Sequence, residues 1–172
     1  MNLVSGAELR QRLAGNPPLI EAMVDPEGQI QMNGVDFTVR EVAALANEPG
    51  AISVDNDRRK TPASTAIAPD GEGWWRLPRG IYWVLYNEIV HIPADMFAIA
   101  RTRSSLLRSG ASVETAVWDS GYSGRSGSLL VVHHPAGLAL ERNARIVQLI
   151  FFGLDSAAEK LYRGKYHGEN IS

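Results

Sequence analysis

The feature that most limits the fold of this chain is a series of short apolar runs separated by turn residues. Strands are predicted at 74–77, 81–86, 89–92, 96–100, 129–132, 137–140 and 146–152. Short strands at this spacing are typical of a sandwich, a jelly roll or a barrel. The sequence therefore predicts a mainly β fold, organised as a distorted jelly roll or β-barrel.

Two short helices are expected beside these strands. Ser5 and Glu8 form a capping box, which predicts a short N-terminal helix. Ser104 is suited to a helix start and Gly110 to the position past a helix end, so a second helix is predicted over residues 104–109.

Three connecting segments also carry local signals. The alanine-rich stretch 41–47 is consistent with a helical turn, and Asn87-Glu88 with a two-residue hairpin loop between two strands. The segment 55–73 is polar and has little periodicity, which indicates a surface excursion. Its basic triplet, 58–60, is interpreted as part of a solvated loop rather than as a phosphate site.

The length of 172 residues is sufficient for one domain with a real core, and we expect that domain to span residues 1–161. The remaining residues, 162–172, are polar and contain glycine. They lack the apolar side chains that would anchor a core element, so the sequence predicts a mobile C-terminal tail.

Composition narrows the class of protein. A net charge of −2 gives no broad basic field, so nucleic acid is not an expected partner. The chain has no cysteine, which excludes disulfides and the cysteine-ligated zinc of base and nucleoside deaminases. No signal-peptide pattern and no membrane-spanning stretch is visible, so a cytoplasmic protein without a membrane partner is expected.

The residues that suggest chemistry lie between positions 103 and 124. Residues 103–110 (RSSLLRSG) supply arginines and hydroxyls that can hold a polyphosphate, and residues 119–124 (DSGYSG) follow soon after. Asp119 can orient a water molecule, and the ring of Tyr122 can cover a sugar. Together these residues indicate hydrolysis of a nucleoside triphosphate without a Walker loop.

Five segments carry a resemblance to a known family: 31–36, 103–110, 115–124, 145–150 and 162–166. In this order they resemble the dUTPase and dCTP deaminase superfamily, and most of all its archaeal-type dUTPase branch. The resemblance implies a dUTPase-like jelly roll and a homotrimer with active sites between subunits. It also implies dUTP as substrate, with Mg²⁺ carried mainly on the triphosphate rather than by a metal site of the protein.

The resemblance also implies roles for individual residues. Asp119 would be catalytic, orienting water and accepting a hydrogen bond from the sugar 3′-hydroxyl. Asp36 would contact the substrate-binding residues and hold them in position without contacting substrate itself. The implied substrate-binding residues are Arg103, Ser104, Ser105, Arg108, Thr115, Ala116, Val117, Tyr122, Gln148, Tyr162, Lys165 and Tyr166. Arg108 could instead brace a subunit interface, and Gln148 could instead be a hydrogen-bonded core residue.

One position separates the two chemistries of the superfamily. The deaminases place a glutamate ten residues after the motif aspartate, and here that position is Leu129. A leucine cannot carry the proton transfer that deamination needs. We therefore expect a dUTP diphosphatase that releases dUMP and pyrophosphate. One alternative is a dCTP deaminase, or a bifunctional deaminase and dUTPase, with a glutamate displaced in sequence. The other is a non-catalytic nucleotide-binding regulatory trimer.

Overall fold

The computed structural model describes residues 1–171 and is built mainly from antiparallel strands. The strands are β1 (Asn2–Val4), β2 (Ile20–Glu21), β3 (Ile30–Gln31), β4 (Gly34–Leu45), β5 (Ser64–Ile67), β6 (Trp74–Leu77), β7 (Gly80–Tyr86), β8 (Ile89–His91), β9 (Met96–Thr102), β10 (Ala111–Glu114), β11 (Ser123–Gly124), β12 (Gly127–Val132), β13 (Leu138–Glu141) and β14 (Arg145–Gly153). The helices are α1 (Gly6–Leu13), α2 (Pro26–Gln29) and α3 (Ser104–Arg108), and a 3-10 turn covers Asn56–Arg58.

Nine strands form one curled sheet that resembles half of a barrel. Its main path is β1-β14-β4-β7-β12-β10, with β3 and β5 added on β4 and β9 added on β14. Two smaller sheets, β11-β8-β2 and β13-β6, complete the described strands. The predicted mainly β fold is therefore confirmed.

Strand β14 shows how the sequence pattern produces the core. Val147, Leu149 and Phe151 are fully buried, and half-exposed residues alternate with them. Because side chains alternate between the two faces of a strand, this pattern places one face in the core. Both edges of β14 are paired, with β4 on one side and β9 on the other.

The two predicted helices are confirmed. Ser5 is the N-cap residue of α1, although its side chain makes no capping hydrogen bond. Helix α3 begins after the N-cap Arg103 and ends at Arg108. Gly110 follows it with φ of +75°, a left-handed conformation that suits glycine.

The helical turn predicted at 41–47 is wrong, because strand β4 continues through Leu45. Ala43 is paired with Trp83 on one side and with Ala66 on the other. Alanine has a weak preference for strands, but two paired neighbours supply backbone hydrogen bonds that override it.

The hairpin predicted at Asn87-Glu88 is also wrong. Strand β7 pairs with β4 and β12, whereas β8 pairs with β2 and β11, so the chain passes from one sheet to another here. The carboxylate of Glu88 is fully buried and accepts hydrogen bonds from Thr38 N (2.9 Å), Thr38 Oγ1 (2.6 Å) and Gln29 Nε2 (2.7 Å). Burial raises the pKa of Glu88, and these donors oppose that rise.

Among residues 1–171, no helix is both long enough and apolar enough to cross a membrane.

Candidate active site

A cavity of about 570 Å³ lies beside the turn at 118–124. Its wall contains six of the residues predicted from the sequence to form the site: Ala116, Val117, Asp119, Tyr122, Tyr162 and Tyr166. Leu129 also faces this cavity. A cavity of this size is within the range that holds small-molecule ligands.

The turn that carries Asp119 is attached to the core by backbone hydrogen bonds on both sides. Trp118 exchanges two of them with Ala98, at 2.9 and 3.0 Å. Gly121 N donates to Ile92 O at 2.9 Å, and Ile92 N donates to Tyr122 O at 2.8 Å. These bonds hold the turn in place, and the exposed Asp119 side chain projects from it.

Gly121 in this turn must be glycine for two reasons. Its φ is +84°, a conformation that residues with a Cβ adopt only at a cost. A Cβ built on Gly121 would lie 2.6 Å from the Cβ of Leu161, in the chain segment that leads into the tail. The turn and the tail therefore approach each other closely because no side chain separates them.

Tyr122 is the buried aromatic residue of the cavity, with only 7% of its surface exposed. Its ring meets that of Tyr162 edge-on, with 5.7 Å between centroids. Its hydroxyl donates a hydrogen bond of 2.9 Å to Glu169 Oε1. Burial, followed by the negative charge of Glu169, raises the pKa of Tyr122 far above its usual value.

The C-terminal segment, predicted to be a mobile tail, is docked on this turn at both ends of residues 162–170. Tyr162 N donates to Ser120 O at 2.8 Å, and Gly168 N donates to Ser123 O at 2.7 Å. Hydrogen bonds supply most of these contacts, and the Tyr162 ring packs on Tyr122, so the polar composition of the tail did not indicate docking. Residue 172 lies outside the described residues.

Arg125 joins the docked tail to the rest of the fold. Its backbone N–H donates to Glu169 O at 2.9 Å, and its Nε donates to Asn170 O at 2.9 Å. The same guanidinium donates to the backbone carbonyls of Tyr86 and Asn87, where the chain changes sheets. Burial lowers the pKa of Arg125, although it remains a charged donor.

Another part of the cavity wall is apolar. Leu45, Trp83 and Leu129 line it from neighbouring strands of the large sheet, and Pro62 lines it from the segment that follows β4. Trp83 is 37% exposed, so this ring faces the cavity instead of filling the core. An apolar wall beside a buried tyrosine suits the flat face of a base or a sugar.

A second group of predicted residues lies away from this cavity, around Asp36 on β4 and the start of α3. Asp36 on β4 is buried, and Arg103 Nε lies 3.1 Å from its Oδ2, with Arg145 Nη1 at 3.6 Å. This oxygen is paired by charge but accepts no hydrogen bond from the described residues. Burial raises the pKa of Asp36, while Arg103 and Arg145 oppose the rise.

Gln148 belongs to this second group. It is directly opposite Asp36 on β4 and Arg101 on β9, and residues directly opposite each other share a face of the sheet. Gln148 is half-exposed in the single chain. The exposed side chains of Ser104, Ser105 and Arg108 follow at the start and end of α3.

The two groups are separated along strand β9. Ala98 is bridged to Trp118, next to Asp119, whereas Arg103 comes five residues later. An extended chain rises about 3.3 Å per residue, so the two ends are roughly 16 Å apart. Among residues 1–171, none of Arg103, Ser104, Ser105, Arg108 and Gln148 lines the cavity that contains Asp119.

Two other predicted residues lie near the cavity without lining it. Thr115 is half-exposed and precedes the lining residue Ala116. Lys165 is exposed, and its Nζ is 5.7 Å from the ring centroid of Tyr166. The segment 115–117 is irregular and not part of a strand.

Sequence reasoning missed Glu169, Thr61 and Trp83 as cavity residues. Glu169 lies in the polar tail, where no apolar period indicates which side chains face inward. Burial raises the pKa of the Glu169 carboxyl, and the hydrogen bond from Tyr122 opposes that rise. Trp83 alternates with buried residues of β7, but that pattern does not distinguish a cavity wall from an interface.

The fold and the cavity define a small antiparallel β half-barrel with a pocket for a nucleotide-sized ligand. The chain belongs to the dCTP deaminase-like family, whose sequence model matches residues 3–154. A solved structure of 2′-deoxycytidine 5′-triphosphate deaminase from Agrobacterium tumefaciens is similar in fold, with a TM-score of 0.64 and 21% identity. That match covers 87% of this chain but 47% of the deaminase chain, so this protein spans about half its length.

Relatives of full length carry a different name. A protein of Methanosarcina mazei, described as a probable deoxyuridine 5′-triphosphate nucleotidohydrolase, is 50% identical over 172 residues, which is 100% of both chains. A protein of Archaeoglobus fulgidus with the same description is 47% identical over 171 residues, or 99% of each chain. The resemblance identified from the five segments is therefore confirmed.

Proposed function

We propose that this protein hydrolyses dUTP to dUMP and pyrophosphate, which limits uracil in DNA and supplies dUMP. The observation that carries the proposal is that Leu129 faces the same cavity as Asp119 and Tyr122. The cavity thus has a carboxylate for water and a ring for the sugar. At the position where deaminases have their glutamate it has an apolar side chain. The description of the full-length relatives supports the same reaction.

In the proposed reaction Asp119 holds a water molecule in line with the α-phosphorus. The water oxygen forms a bond to phosphorus, and the bond from the α-phosphorus to the α–β bridging oxygen breaks. Pyrophosphate leaves, and Asp119 helps to remove the proton of the attacking water. Asp119 is exposed at the cavity surface, which leaves its carboxylate accessible to that water.

Tyr122 and the apolar wall account for recognition of deoxyuridine. The buried Tyr122 ring would pack on the deoxyribose and leave no room for a ribose 2′-hydroxyl. Backbone groups of Thr115, Ala116 and Val117 would supply donors and acceptors to uracil. The amino group of cytosine would leave such groups unmatched, which is costly in a buried site.

The triphosphate is proposed to meet the second group of residues from a neighbouring copy of the chain. Arg103, Ser104, Ser105 and Gln148 would bind phosphate oxygens, with Arg108 as a further cation. Asp36 would act as a positioning residue, since it is buried and lies 3.1 Å from Arg103 Nε. The separation of this group from Asp119 within one chain supports a homotrimer whose sites lie between subunits.

Mixing two inactive variants tests this arrangement. Asp119→Asn removes one half of the site, and Arg103→Ala removes the other. If the sites lie between subunits, denaturing and refolding the two variants together restores part of the activity, because some sites receive two intact halves. A chain that elutes as a monomer, or a mixture that stays inactive, would contradict the shared site.

Mg²⁺ is proposed to enter with the triphosphate. No group of three or more histidine or acidic side chains that could hold a metal lies together among residues 1–171. Bound to the phosphate oxygens, the ion would neutralise charge on the substrate.

Tyr162, Lys165 and Tyr166 would cover the bound nucleotide, with Lys165 supplying a further positive charge. We place the reaction in the cytoplasm, with the nucleotide pool.

One observation favours dCTP deamination as a second candidate function. Glu169 is a carboxylate that is distant from Leu129 in sequence but lines the same cavity. It could carry a proton to cytosine, although its Oε1 already accepts a hydrogen bond from Tyr122. If deamination occurs, Glu169→Gln abolishes it and leaves hydrolysis of dUTP intact.

Separate incubations with dUTP and dCTP decide between the candidates. We expect dUMP and pyrophosphate from dUTP, and no ammonia, dUTP or dUMP from dCTP. Ammonia release from dCTP at a rate comparable to dUTP hydrolysis would overturn the assignment. A non-catalytic nucleotide-binding regulatory trimer would bind dUTP but form no product from either nucleotide.

A further inference from the structure

We infer that Arg59 is a positioning residue that holds the C-terminal tail closed over the cavity through the ring of Tyr166. The expected change in kcat/KM for dUTP rests on the proposed function. The expected change in attachment of the tail does not. The sequence interpretation had assigned the triplet that contains Arg59 to a solvated loop. In the structure Arg59 is half-buried, whereas its basic neighbours Arg58 and Lys60 are exposed.

Arg59 belongs to an ordered extension of the β4–β5 hairpin, residues 46–63, which we call the arm. Ala51 and Lys60 exchange two backbone hydrogen bonds of 2.9 Å, and Ala46 N donates to Ala63 O at 2.8 Å. Glu48 Oε1 accepts a further bond of 3.1 Å from Ala63 N. The arm is therefore closed at its base and again near its tip, which fixes the direction of its side chains.

The direction of Arg59 follows from the local backbone. Its φ of −68° and ψ of 132° are extended, so successive side chains point to opposite sides. Arg59 is half-buried, whereas Arg58 and Lys60 are exposed. Thr61, two residues later on the same side, lines the cavity. Of the three cations, Arg59 is the one that points toward the cavity.

Arg59 reaches the tail at Tyr166. Its guanidinium carbon is 5.7 Å from the centroid of the Tyr166 ring, within the range of a cation–π contact. Tyr166 also lines the cavity. The hydrogen bonds of Tyr162, Gly168 and Glu169 attach the tail to the turn side. Arg59 attaches it to the arm, so the tail bridges two walls.

The bridge has a kinetic consequence. A closed tail keeps water other than the attacking molecule away from the triphosphate and brings Lys165 near it. A cation–π contact at a partly exposed site changes an equilibrium by about two- to fivefold. We expect Arg59→Ala to lower kcat/KM for dUTP by about that factor. Arg58→Ala, the matched control, should leave it unchanged.

Cleavage by a lysine-specific protease tests the contact without any catalysis. The chain has three lysines, Lys60, Lys160 and Lys165, and the Arg59→Ala and Arg58→Ala variants leave this set of cleavage sites unchanged. Release of residues 161–172 or 166–172 is measured by mass. We expect faster release from Arg59→Ala than from the wild type or from Arg58→Ala.

A double-mutant cycle identifies Tyr166 as the partner. In a Tyr166→Leu background, Arg59→Ala should cause no further increase in tail release and no further loss of kcat/KM. Equal behaviour of the Arg59→Ala and Arg58→Ala proteins in both assays would overturn the inference. A chain that fails to hydrolyse dUTP but still shows faster tail release in Arg59→Ala would refute the proposed function alone.

Discussion

The turn at 118–124 and the tail at 162–171 line one cavity but are attached in different ways. The turn bonds to strand β9 through Trp118 and Ala98, and to the segment after β8 through Gly121, Tyr122 and Ile92. The tail bonds to the turn, to Arg125 and to the arm. The turn is also packed into the core by the buried side chains of Trp118 and Tyr122, whereas Lys165, Tyr166 and Gly168 of the tail are exposed. Asp119, which is proposed to orient water, therefore belongs to a fixed part of the fold. Tyr162, Lys165 and Tyr166, which are proposed to cover the nucleotide, belong to a segment that can detach from the cavity.

The largest expected loss of turnover comes from a substitution in the turn at 118–124. Asp119→Asn keeps the shape of the side chain but loses the charge that polarises water. We expect turnover of dUTP to fall by about 10²-fold or more, because general-base assistance is lost. Binding of dUTP, measured by calorimetry, should remain. Near-normal turnover in the variant would remove Asp119 from its catalytic role.

Deleting the tail from Tyr162 onward should have the next largest effect. The core residues remain, so we expect a folded trimer by gel filtration and only a small change in melting temperature. Turnover should fall by about tenfold or more, since closure and Lys165 are lost. Binding of dUMP should change less, because dUMP lacks the β- and γ-phosphates that the tail would cover. If the wild type is the proposed trimer and the shortened chain is not, the tail is structural.

Gly121→Ala sharpens the comparison, because this residue belongs to the turn and contacts the tail. A residue with a Cβ in this left-handed conformation costs roughly 1–2 kcal/mol. The new Cβ would also meet Leu161 at 2.6 Å and displace the tail. Gly73→Ala is the matched control, since Gly73 has φ of +87° and nothing within 4 Å of a built Cβ.

Both alanine variants should lose similar thermal stability, but only Gly121→Ala should release the tail to the lysine-specific protease faster. Equal tail release from the two variants would show that the turn and the tail are independent of each other.

The smallest expected effect is a pH dependence of tail docking. Burial raises the pKa of Glu169 in the docked state above the ordinary value of 4.5. The docked tail therefore binds the proton more tightly than the released tail does. The contribution of Glu169 to docking is greatest below about pH 4.5 and is lost as the pH rises through the raised pKa.

Amide exchange at Gly168, whose N–H donates to Ser123 O, measures this docking. The measured quantity is the protection factor, which is the exchange rate relative to the intrinsic rate at the same pH. Glu169→Gln should remove the pH dependence of this protection factor and raise it at neutral pH. Glu159→Gln, which changes an exposed carboxylate outside the docked segment, should leave the pH dependence as it is. A pH profile that is unaltered by Glu169→Gln would contradict the assignment to Glu169.

Local patterns in the sequence determined the type of about half of the elements, namely β6 to β9, β12 to β14, α1 and α3. The apolar period of β14, the start and end signals of α3, and the spacing of turn residues predicted strands and helices that the structure confirms. The motif order also identified the family, and counting from Asp119 identified Leu129. These inferences succeed because the alternation of apolar residues, the signals at helix ends and the spacing of turn residues each depend on only a few neighbouring residues.

The tertiary structure alone decided which elements become neighbours. The buried carboxylate of Glu88 turns an expected hairpin into a passage between sheets by binding Thr38 and Gln29, which are distant in sequence. Glu169 reaches Tyr122, and Arg59 reaches Tyr166, in the same way. Such contacts depend on the packing of segments up to about a hundred residues apart, and no local period encodes them.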